Sequence, residues 1–137
     1  MSGDARETFQ RLVAAQNAHD IDAFVSCFAP DYSSEQPAHP GRAFIGSDQV
    51  RKNWTAMFAG VPDFRAELLD SAAEGSTAWG EFEWRGTKTD GSPLLSRGVI
   101  IGTVRDGRLA AARLYMSDVE QSGQGIDATV KRLAGKR

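Results

Sequence analysis

Along the first part of the chain apolar residues recur every three to four positions, and from Phe64 onward they alternate. Between about Asp4 and His19, Phe9, Leu12, Val13 and Gln16 stand at i, i+3, i+4 and i+7, a spacing that predicts an amphipathic helix. The stretch "HDIDAFVSCFAPDY" predicts a second helix, with Asp20 as its cap, Ile21, Phe24, Val25 and Phe28 on one face, and Pro30 ending it. A short extended piece from Tyr32 to Gln36 and the loop "PAHPGR" follow. A third helix is expected from about Ser47, a plausible N-cap, to Ala59, burying Val50, Trp54, Met57 and Phe58.

Segments 64–72, 77–87, 94–105 and 108–117 then read as strands, separated by "EGS", "TDGS" and "RDGR". A three-residue loop from Arg105 to Gly107, with Gly107 left-handed, would set Val104 opposite Arg108. Arg97 would then oppose Tyr115, Gly98 would oppose Leu114, and Val99 would oppose Arg113. In that register Gly98, Ile100, Ala112 and Leu114 share one face of the sheet, and Arg97, Val99, Arg113 and Tyr115 the other. The strand "GVIIGTV" is apolar on both faces, so both must be covered. Three helices cover one, and a second copy of the chain is expected on the other, with Arg97, Val99, Arg113 and Tyr115 at that interface.

Length and composition narrow the class. A chain of 137 residues fits one domain, 1–137, in which 120–137 is a Gly-containing linker and a possible short helix carrying Ile126, Val130 and Leu133. Sixteen basic and 18 acidic residues leave a net charge of −2, which offers no electrostatic footprint for nucleic acid. No signal segment or run of eighteen apolar residues is present, so a cytoplasmic protein without membrane contact is expected. Cys27 stands alone, in a helical pattern that suits a buried small hydrophobe. With only His19 and His39 beside it, no metal-ligand spacing can be assembled, and neither metal nor cofactor is expected.

The order helix, helix, short strand, helix and strand meander, carried by "AHDIDAFVSCFAPDY", "FIGSDQVRKNW", the strand from Trp79 to Gly86 and "TVRDGRLAAARLYM", resembles the SnoaL-like branch of the nuclear-transport-factor-two-like superfamily. That resemblance implies an α+β cone: a strongly curved antiparallel sheet packed on three N-terminal helices, with a ligand cavity at its mouth and dimerisation through the sheet. The superfamily contains polyketide cyclases, ketosteroid isomerases, limonene-epoxide hydrolases and members that only bind, so the fold alone does not name a function. In the cyclases and epoxide hydrolases the last strand carries an inward Asp, and cyclases often add a His two residues earlier. Those positions fall here on Leu114 and Ala112. Neither can move a proton.

The candidate chemistry lies elsewhere. Glu81 and Glu83 share one face of a strand; inside the cone they would form a coupled general acid/base pair, and outside it they would pair with Arg97 and Arg113. His39, between two prolines where the cone should open, is either a general base or a solvated imidazole. His19 reads as a helix-end residue. Tyr32, Trp54, Phe58, Phe64, Trp84 and Leu114 are the expected ligand wall. The leading expectation is a domain that binds a small hydrophobic or polycyclic molecule. The alternatives are a cofactor-independent cyclase, isomerase or hydrolase using Glu81, Glu83 or His39, and a structural dimer module with a filled interior.

Overall fold

A computed structural model describes residues 5–135. The helical stripe on Phe9, Leu12 and Gln16 forms α1 (Ala5–Ala18) and buries all three; the expected start at Asp4 lies outside the described residues. His19, at φ +53°, terminates α1 in the left-handed conformation while its N–H bonds Gln16 O and that of Asp20 bonds Ala15 O. Asp20 then caps α2 (Ile21–Val25), its Oδ1 accepting from Ala23 N at 3.0 Å.

This second helix is shorter than the pattern suggested. Phe28 opens β1 (Phe28–Glu35) instead of closing the helix, and Pro30 sits inside the strand. The strand tolerates proline because its pairing with β6 (Arg108–Asp118) is irregular between Phe28 and Ser33, where no ladder partner is required. Long-range pairing, including Leu109 N to Cys27 O at 2.8 Å, overrides the local helical period. A 3-10 turn (Pro40–Arg42) and β2 (Phe44–Ile45) lead to α3 (Ser47–Gly60). Gly46, at φ +108°, is the N-cap in place of Ser47.

The meander comprises β3 (Arg65–Glu74), β4 (Thr77–Thr87), β5 (Pro93–Arg105) and β6. Six strands form one curved, open sheet in the order β2-β1-β6-β5-β4-β3. The sheet is mixed, because β1 runs parallel to β6 while every other pair is antiparallel. A final helix, α4 (Ile126–Leu133), exposes Ile126, Val130 and Leu133.

The register between β5 and β6 differs from expectation by two residues. Asp106 and Gly107, both at positive φ, make a two-residue turn that pairs Arg105 with Arg108. A bulge then places Val104 against Leu109 and Thr103 against Ala111. Val99 therefore opposes Tyr115, Gly98 opposes Met116, Ile100 opposes Leu114, and Arg97 opposes Ser117. Each irregularity alone would have turned the strand over. Together they restore the parity, so Ile100, Ala112 and Leu114 still share the helix-covered face.

The core is the space between α1, α3 and this face. Phe9 meets Phe82 edge-to-face at 5.2 Å. A Cβ on Gly102 would lie 3.2 Å from Phe9 Cζ and 2.6 Å from Leu109 Cδ2, so glycine is needed for α1 to settle on the sheet. Asn17 fastens the helix to β3, donating to Ala66 O at 2.9 Å and accepting from Ala66 N at 2.7 Å.

Candidate functional site

Between the helices and the inner sheet face lies a chamber of about 180 Å³. Leu12 and Gln16 of α1, Phe24 of α2, and Val50, Asn53, Trp54 and Met57 of α3 form one side. Phe28, Tyr32, Phe44, Trp84, Ile100, Ala112 and Leu114 form the sheet side. A wider vestibule of about 400 Å³ shares Gln36, Met57, Trp84 and Leu114 with the chamber, so these four make the neck. The vestibule adds His39, Arg42, Ser96 and Asp118. Greasy depth thus opens into a polar mouth.

The wall carries no Asp, Glu, His, Lys, Arg or Cys. Its one titratable group is the Tyr32 phenol, pushed up to about 12 by burial, with a hydrogen bond to Ser34 opposing the rise. That phenol stays protonated near neutrality and can donate a hydrogen bond but cannot act as a base. Two other wall residues hold polar atoms that are buried and without hydrogen-bond partners, Gln16 Oε1 and Trp84 Nε1. Asn53 Oδ1, by contrast, accepts from Gln49 Nε2 at 2.8 Å.

Among the residues expected at the ligand wall, Tyr32, Trp54, Trp84 and Leu114 line the chamber. Phe58 and Phe64 do not. They pack with Val61 and Ala66 in a second cluster that adjoins Trp54 and Trp84, where His19 stacks on Phe58 at 4.7 Å and its Nε2 lies 2.9 Å from Phe64 O. Phe58 follows Trp54 by one turn of α3, on the same stripe, but is not among the chamber-lining residues. Gln16, Phe28, Phe44 and Ala112, which the sequence reading left out of the wall, belong to it.

Glu81 and Glu83 occupy the outer face, because Phe82 and Trp84 take the inner one. Glu83 is only 3% exposed, yet not toward the chamber: it accepts from Arg97 Nε at 2.7 Å and pairs with Arg85. Glu81 is exposed, and no described ion pair joins it to Arg113. An acid/base pair of these carboxylates inside the cone does not fit this placement. Arg97, Val99, Arg113 and Tyr115 lie on that same outer face, where Trp79, Val99 and Tyr115 expose apolar surface. His39 is found at the vestibule.

A family model, the SnoaL-like domain, matches residues 9–112. The chain belongs to the SnoaL-like domain family. No curated protein matches it. Among solved structures, this SnoaL-like chain is similar to wild-type IdmH, a putative polyketide cyclase from Streptomyces antibioticus, at TM-score 0.72 and 22% identity over 84% of this chain and 93% of that one. An epoxide hydrolase of the LEH-like type from M. tuberculosis aligns at TM-score 0.72 and 17% identity, covering 82% of each chain. A protein with a ketosteroid isomerase-like fold from Catenulispora acidiphila, solved with trimethylamine, aligns at TM-score 0.70 and 15% identity over 80% of this chain and 84% of that one. At such identities the likeness establishes the fold and nothing finer. Among the described residues no helix is long and apolar enough to cross a membrane.

Proposed function

We propose that this SnoaL-like domain binds a small hydrophobic molecule in the chamber without transforming it there. The observation that carries this reading is the chemistry of the wall: apart from a neutral phenol it holds no titratable group, and Leu114 occupies the position at which the resemblance to cyclases and epoxide hydrolases implies an inward Asp. The volume favours a compact occupant. An apolar cavity of about 150 Å³ accommodates benzene, so a chamber of about 180 Å³ suits a single substituted ring, with larger substituents reaching the vestibule.

A second reading is favoured by one feature. His39 and Asp118 line the vestibule together, beside Arg42 and Ser96, so a molecule projecting from the chamber could meet an imidazole base there. In that reading the domain is a cofactor-independent cyclase, isomerase or hydrolase working at its mouth. Native mass spectrometry of freshly purified protein, followed by identification of the released molecule, tests the first reading. Loss of turnover with retained affinity in His39→Asn would favour the second, and unchanged ligand in both variant and wild type would remove it.

The outer sheet face supports a homodimer in either case. Val99 and Tyr115 oppose one another on adjacent strands and remain 37% and 44% exposed, with Trp79 close by. Val99→Glu should convert a dimer to a monomer in light scattering; a wild-type monomer at all concentrations would dismiss the interface.

A further inference from the structure

Two apolar surfaces of this chain lie bare. On the outer sheet face, a groove of about 360 Å³ extends over β5, β4 and β3, lined by apolar Val99, Trp79 and Ala72 and by the carboxylates of Asp70 and Glu81. At the other surface, α4 carries Ile126, Val130 and Leu133 at i, i+4 and i+7, a single stripe in which each side chain is more than half exposed. Lys131 and Arg132 of its last turn outnumber Asp127 of its first. Among the described residues neither groove carboxylate has an ion-pair partner, and neither do Lys131 and Arg132. A chain with an uncovered acidic and apolar groove thus also carries an uncovered basic and apolar helix.

We propose that α4 of each chain docks in the outer-face groove of a second copy, so that a dimer exchanges its C-terminal helices. One chain alone covers neither surface, whereas a twofold pair covers both on each chain with one kind of contact. The connection is long enough. Val119 N–H still bonds Leu95 O at 3.0 Å, which leaves residues 120–125, two of them glycine, as the free linker. Six residues span up to about 20 Å, and facing sheets pack about 10 Å apart. The groove shares Val99 with the Val99–Tyr115 patch, so helix and sheet contacts form one continuous interface. This inference rests on the homodimer reading and adds the exchanged element, its three apolar anchors and the surface that receives them.

Cross-linking between differently labelled chains tests the exchange. One full-length variant carries Ala72→Cys at the groove, and a second, grown on heavy nitrogen, carries Ala134→Cys at the end of α4; both positions are exposed. Cys27 is buried and should stay silent. After mixing and subunit exchange, a short bis-maleimide should join the Ala72 position of a light chain to the Ala134 position of a heavy one, read by mass spectrometry of the digest. Sedimentation supplies an independent readout. Burial of a leucine is worth about ten- to a hundredfold in an equilibrium constant, and a twofold exchange buries it twice. Leu133 is exposed in the single chain, so Leu133→Asp should leave the fold intact and raise the dimer dissociation constant by about a hundredfold or more.

A dimer that Leu133→Asp leaves untouched, with no link between the two positions, would overturn the exchange and leave the sheet interface standing. A link that forms only within one chain, in a variant carrying both substitutions, would place α4 on its own sheet and refute the exchange as well. A wild type that stays monomeric at every concentration would bring down both.

Discussion

Replacing Leu114 by Asp would put a carboxylate on the chamber side of β6, where the chamber wall has none. Leu114 lies on the chamber side of β6, opposite Ile100, and is partly buried. Loss of its apolar burial costs about 1–2 kcal/mol. The carboxylate adds an electrostatic penalty, because desolvation favours the neutral acid. Full burial raises such a group by up to about 3–5 pH units; for a half-buried site about 2 units is a fair measure, worth about 2.7 kcal/mol at 1.36 kcal/mol per unit. The sign follows from linkage: the folded acid titrates above the unfolded one, so the penalty is absent below about pH 4 and complete above about pH 6. At pH 5 roughly half of it has developed. Urea unfolding should therefore show the variant about 4 kcal/mol less stable than wild type at pH 8, and about 1 kcal/mol less affected at pH 5. Thr103→Asp, exposed on the outer side of β5, should stay within about 0.5 kcal/mol at both pH values. If the two variants behave alike, Leu114 does not face the interior.

Tyr32 makes a second pH prediction. Its phenol titrates near 12 when folded and near 10 when unfolded, so the wild type should lose stability between pH 10 and 12, by about 2–3 kcal/mol in all. Tyr32→Phe should lack that component in alkaline urea titrations; identical slopes would refute the burial of this hydroxyl. Cys27 is 2% exposed and its thiol is pushed up by burial, with the Arg11 charge opposing, so a thiol reagent at pH 8 should label it only after denaturant is added. Rapid labelling of native protein would contradict its packing. Gly98→Ala would set a Cβ 2.0 Å from Tyr115 O and 2.8 Å from Met116 Cα, both backbone atoms of the neighbouring strand. A loss of about 3 kcal/mol or more by urea unfolding is expected, and a neutral substitution would mean the β5–β6 register is wrong.

The fold was readable wherever periodicity and burial act on the same residues. Phe9, Leu12 and Gln16 mark α1 because its period persists for four turns, and Glu81 to Arg85 marks β4 because charged and aromatic residues alternate there. Phe28 misled because a strong helical spacing there is outweighed by pairing with β6, a partner some eighty residues away. The β5–β6 register went astray because two small irregularities, a two-residue turn and a bulge, are degenerate in sequence; side-chain parity survived because they cancel. The site was less legible. Leu114 could be placed inside from parity alone, but Glu81 and Glu83 could not be given a face, since aromatic residues occupy both alternations of "WGEFEW". Arg42 and Asp118 carried no local signal at all. A loop and the far end of a strand bring them to the same mouth, and only tertiary structure records that.

Diffraction from crystals of this protein pressurised with xenon would probe the chamber itself. A xenon peak bounded by Phe28, Trp54, Ile100 and Leu114 is the expected result, since a dry apolar hollow of this size attracts a polarizable atom. Side chains packed solidly through that volume, or a carboxylate facing into it, would contradict the account.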